Sequence, residues 1–112
     1  PYPAYTDRAG WDQFVGHYKN AQILEGEKYL DYEWRTVKAT DYMEFEKSGS
    51  RTVMEAPFSA NSSALSSMVL AELCEGKGRF IDQIINGVWV FTEITSWAAS
   101  AHLISAQSTR NM

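Results

Sequence analysis

Residues 73–89 read LCEGKGRFIDQIINGVW. Two glycines bracket a lysine and an apolar run follows, so the stretch is either a phosphate-cradling loop or a turn between two helices. A nucleotide-binding loop needs a preceding strand, then Gly, four residues and Gly-Lys-Ser/Thr, because backbone amides wrap the phosphates and the hydroxyl reaches magnesium. Here the segment before Gly76 is helix-patterned, the spacing is wrong and no hydroxyl follows Lys77. The stretch is therefore a hairpin turn: Gly76 supplies a left-handed helix end and Gly78 opens the next helix.

Outward from that turn the pattern is helical on both sides. Pro57 begins a long helix with Phe58, Leu65, Met68, Val69 and Leu73 on one face, and Phe80, Ile81, Ile84, Ile85 and Val88 mark its antiparallel mate. The β-prone run Val88–Phe91 sits inside this helical periodicity and lacks flanking turns. Upstream, Thr6 or Asp7 caps a helix bearing Trp11, Phe14, Val15 and Tyr18. A helical stretch with Ile23, Leu24, Glu27 and Leu30 follows, weakened by Gly26. Thr40 is placed to cap a segment that Gly49 ends. The expectation is an all-α chain of four or five helices forming one domain over residues 1–112, with a frayed polar tail at 104–112.

Composition narrows the function. The chain has 112 residues and a net charge of −4, which leaves no electrostatic footprint for nucleic acid. No apolar run approaches the ~18 residues needed to span a membrane. Cys74 is the sole cysteine and sits among apolar residues, which predicts a core thiol and no disulfide. His17 and His102 stand far apart without HExxH or paired Cys/His spacing, so neither a metal nor another cofactor is expected. No GxSxG elbow accompanies the many serines. Trp11, Phe14 and Tyr18 resemble positions of a tetratricopeptide unit, but no second copy follows ~34 residues later. Pro1 occupies the place of an initiator methionine, as a processed or trimmed product would show.

Asp82, Asn86, Trp89, Glu93 and Trp97 follow at steps of four, three, four and four, which places them on one stripe of a continuous helix. Two readings stay open for it. Indole faces pack on sugar C–H groups while carboxylates and amides bind hydroxyls; alternatively both tryptophans fill an interhelical groove.

The stretches YMEFEKSGSRTVMEAPF (42–58) and ALSSMVLAELCEGKGRFIDQIINGVWVFTEITSWAASAH (64–102) resemble the N-terminal part of the heparinase II/III-like polysaccharide lyases, with EGKGRFIDQIINGVW as the most specific block. The likeness covers roughly residues 7–103. It implies an (α/α) toroid of helical hairpins, here only its start, followed in the family by a β-sandwich. The activity it implies is β-elimination of uronate-containing glycans, with an acidic polysaccharide or oligosaccharide as partner and a periplasmic or secreted setting. The family's catalytic groups lie in segments downstream of this region, so no catalytic residue is assigned. The resemblance implies a substrate-binding trio: Trp97 as a stacking face, His102 as a hydrogen bond or positive charge, and Glu93 as a polar neighbour. Two stretches depart from the pattern: PFSANSSAL carries serines where arginines are expected, and WAASAH lacks a proline before Ala-His. The alternative is a helical protein-interaction module that self-associates through aromatic surface. Both readings anticipate a homo-oligomer.

Overall fold

The computed structural model describes the backbone of residues 1–36, 38, 40 and 52–110, and the side chains of 1–36, 38, 40 and 57–96. Every regular element among the described residues is helical. These are α1 (Arg8–Val15), a 3-10 turn (Gly16–Tyr18), α2 (Lys19–Glu27), α3 (Thr52–Glu75) and α4 (Ile81–Arg110). The expected all-α class is therefore the observed one, and the Val88–Phe91 run is helical. The segment that Thr40 was expected to cap lies outside the described residues.

Of the two candidate caps, Asp7 performs the role: its carboxylate accepts the Gly10 amide at 2.9 Å. Gly16, at φ +56°, ends α1 in the left-handed region that favours glycine. The α3 helix starts at Thr52 rather than at Pro57, which sits inside it. Past the first turn a proline both lacks the backbone donor and crowds the carbonyl four residues earlier, so Pro57 is carried there at a cost. Gly76 and Gly78, at φ +69° and +85°, both belong to the turn, and α4 begins three residues beyond Gly78, at Ile81.

The core sits where α2, the segment after it, and the α3–α4 turn converge. Ala64, Met68, Ala71 and Phe80 are fully buried, with Tyr29, Leu30, Tyr32, Trp34 and Ile84 against them. Small residues set the α2–α3 distance. A Cβ on Gly26 would overlap the methyl of Ala71 and lie 3.1 Å from the Ser67 carbonyl and 3.2 Å from Phe80. The buried stripe of α3 is thus Asn61, Ala64, Met68 and Ala71, while Leu70 of the same helix stays 48% exposed.

Asn61 and Gln83 fasten the chain after α2 to the hairpin. Asn61 Oδ1 accepts the Tyr32 hydroxyl (2.9 Å) and the Arg35 amide (3.0 Å), and its Nδ2 donates to the Arg35 carbonyl at 2.7 Å. Gln83 Nε2 donates to the carbonyls of Leu30 and Tyr32, both at 3.0 Å, while Oε1 accepts the Trp34 indole N–H at 2.8 Å. A buried amide is tolerable when its polar atoms find partners, and both the oxygen and the nitrogen of Asn61 do. The Trp34 ring lies directly over Gly87 of α4, where any Cβ would strike it. Farther from the turn, Phe58 meets Phe91 with ring centroids 6.2 Å apart, which makes α3 and α4 antiparallel. The molecule is elongated: its radius of gyration is 18.3 Å, against about 13 Å for a compact chain of this length.

Candidate functional site

Three features could carry function, and the first is the turn itself. Glu72 is 4% exposed and sits on the last turn of α3. Its Oε2 accepts the Gly78 amide at 2.8 Å and the Tyr5 hydroxyl at 2.7 Å, and Oε1 accepts the Phe80 amide at 3.2 Å. A buried carboxylate is tolerable when donors surround it, and these amides do so. The backbone donors that a phosphate loop would aim at a ligand are thus already satisfied from within. Arg8 completes the turn: it donates to the Leu73 carbonyl and lies across Gly76, with its guanidinium 5.2 Å from the Tyr5 ring centre. On the solvent side Arg79 bridges Glu75 at 2.7 Å and Glu27 at 2.8 Å. The Arg79 hydrogen bond holds the Glu75 carboxyl below the usual carboxylate range, and the two partners together raise Arg79.

The second feature is an apolar groove of about 580 Å³ between the N-terminal arm, α1 and α3. Trp11 and Cys74 are its buried residues, and Tyr2, Phe14, Tyr18 and Leu70 form exposed walls. The periodicity that suggests a core face on α1 instead builds this groove. Only Trp11 is buried, because the helix ends at Val15 and turns Tyr18 outward. Phe14 packs edge-on between Trp11 and Tyr2, at centroid distances of 5.6 and 5.5 Å. Burial pushes the Cys74 thiol up, in keeping with the core thiol expected. His17 is exposed and stacks on Tyr18, 4.2 Å between centroids.

The third feature is the stripe on α4. Asp82, Asn86, Trp89 and Glu93 are all exposed, and the Trp89 indole N–H donates to Glu93 at 3.0 Å. Trp89 is 66% exposed, so it does not fill an interhelical groove. Beside the stripe runs an exposed apolar row: Ile81 at 39%, Ile85 at 58% and Val88 at 52% exposure, with Val88 also lining a small pocket beside Leu65 of α3. Trp97 and His102 belong to the same helix, but their side chains lie outside the described residues. Of the expected trio, Glu93 alone is described as a side chain, and its carboxylate is engaged by Trp89.

Tyr5, Arg8 and Glu72 escaped the sequence reading. An acidic residue four positions before a turn glycine, inside an apolar run, was the available signal for Glu72; Tyr5 and Arg8 left none, because their partners are more than 60 residues away. Among the described residues, no group of His, Cys, Asp or Glu side chains gathers to hold a metal ion, and no helix is long and apolar enough to cross a membrane. Compared with known protein families and with curated proteins, the chain gives no match.

Proposed function

We propose that the chain is the opening helical segment of a uronate-polysaccharide lyase, supplying scaffold and part of a glycan cleft rather than the reacting groups. The observation that carries this is the pairing on α4 of an exposed apolar row (Ile81, Ile85, Val88) with an exposed Trp/carboxylate/amide stripe. A neighbouring hairpin of a toroid would cover the row, and the stripe has the mixture that sugars require: an indole face for C–H groups and acceptors for hydroxyls. Both arise within the block that carries the family resemblance. Trp97, His102 and Glu93 extend that stripe as binding groups in this reading. Elimination further requires a base and a group that neutralises the uronate carboxylate, and the resemblance assigns both to downstream segments.

The experiment has two arms. The purified 112-residue chain, incubated with heparan or alginate, should give no ultraviolet absorbance from unsaturated uronate; turnover abolished by a point substitution in this chain would refute the scaffold role. In a full-length homologue, substitutions equivalent to Trp97→Phe and His102→Gln should weaken glycan affinity at an unchanged melting temperature. Loss of stability with normal affinity in the folded fraction would make them packing residues. A second reading, a self-associating helical interaction module, is favoured by the exposed Tyr2, Phe14 and Tyr18 walls of the groove.

A further inference from the structure

Ring packing of Tyr2 on Phe14 and two hydrogen bonds hold the N-terminal arm to the body of the protein. The Trp11 indole donates to the Ala4 carbonyl at 2.9 Å, and the Tyr5 hydroxyl donates to Glu72 at 2.7 Å. Before these anchors, Tyr2 and Pro3 form one wall of the groove that Cys74 also lines. The arm has no regular backbone pairing of its own before α1; the Asp7 amide bonds back to the Ala4 carbonyl at 2.9 Å and closes a turn. Its position therefore depends on side-chain anchors. The carboxylate oxygen that accepts Tyr5, Oε2 of Glu72, is the same oxygen that accepts the Gly78 amide.

We propose that residues Tyr2–Tyr5 are a strap whose Tyr2–Pro3 end walls the groove and that Glu72 is its latch, shared with the α3–α4 turn. The strap closes only on an assembled turn, and its release loosens the turn. The physical basis is that one buried carboxylate serves both sides. Without Tyr5, Glu72 loses a donor in a poorly solvated site, and its side chain gains freedom that the Gly78 and Phe80 amides feel. The device is independent of the lyase reading, since it concerns the arm and the turn alone.

Cys74, the sole cysteine, provides a native reporter of groove access: it lines the groove and is 3% exposed. The test is the rate of Cys74 alkylation by iodoacetamide at fixed pH, together with amide hydrogen exchange at Gly78 and Phe80, in the wild type and in Tyr5→Phe. That substitution removes one hydroxyl from a residue that is 40% exposed and keeps the ring over Arg8, so the fold should survive, as circular dichroism would verify. The expected result is alkylation faster by about five-fold or more, with exchange at both turn amides rising by a similar factor, the scale of one lost hydrogen bond. A smaller change in alkylation overturns the strap. Faster alkylation with unchanged exchange at Gly78 and Phe80 overturns the shared latch. Glu72→Gln, which removes the charge and keeps the shape, should reproduce both effects; if it fails to fold, Tyr5→Phe decides alone.

Discussion

Gly26 shows how one missing methyl sets the position of a helix. Alanine is the better helix former by about 1 kcal/mol, so an exposed glycine in α2 would gain from the change. Gly26 is buried against Ala71, Ser67 and Phe80, where an added Cβ has no room. Gly26→Ala should therefore destabilise the protein by about 1–3 kcal/mol in urea unfolding, because overpacking outweighs propensity. Ala71→Gly in the same chain removes the nearest obstacle and should recover part of that loss, which a double-mutant cycle would measure. A stabilised Gly26→Ala variant would show that the two helices are not in contact as described.

At the level of elements, Arg79 ties the ends of three segments: Glu27 closes α2, Glu75 closes α3, and Arg79 itself precedes α4. The Glu75 carboxyl is held low by its hydrogen bond to Arg79, so its protonation competes with the bridge. A depressed folded-state pKa contributes stability above the unfolded value, about 4.3 for a glutamate, and that contribution is lost as pH falls through the lower folded value. Melting temperature should accordingly decline across the acid range below about 4.3, and Glu75→Gln should flatten this decline while lowering stability at neutral pH. The Arg79 side chain is 38% exposed and the Glu75 side chain 8%, so solvent screening from the Arg79 side reduces the effect. A Glu75→Gln variant with the same acid limb as wild type would assign the decline to other carboxylates.

Over the whole molecule, the decisive property is that α4 offers more apolar surface than the rest of the described chain covers. Phe80, just before the helix, and Ile84 in its first turn reach the core, yet Ile85, Val88 and Trp89 remain more than half exposed. Exposed apolar patches of this kind mark places where another surface packs. The isolated chain should therefore associate, its mass by light scattering rising across a concentration series, and Val88→Glu should shift it toward monomer without altering its helicity. A monodisperse wild-type monomer at high micromolar concentration would count decisively against that surface being sticky.

The helical class, a cap at Thr6 or Asp7, the hairpin turn at Gly76 and the burial of Cys74 were all legible in the order of residues, because each depends on local backbone chemistry or on short-range periodicity. The candidate stripe on α4 was legible for the same reason: steps of three and four fix a face wherever the helix continues. Which face is buried was not. Phe14, Leu70 and Ile85 look like core residues and are exposed, whereas Asn61 and Glu72 look like surface residues and are buried. Burial depends on what stands opposite: Asn61 is enclosed because Tyr32 and Arg35 satisfy its amide, and Glu72 because Tyr5, Gly78 and Phe80 surround its carboxylate. Tyr5, Tyr32 and Arg35 come from elsewhere along the chain, and tertiary packing alone brings them to α3.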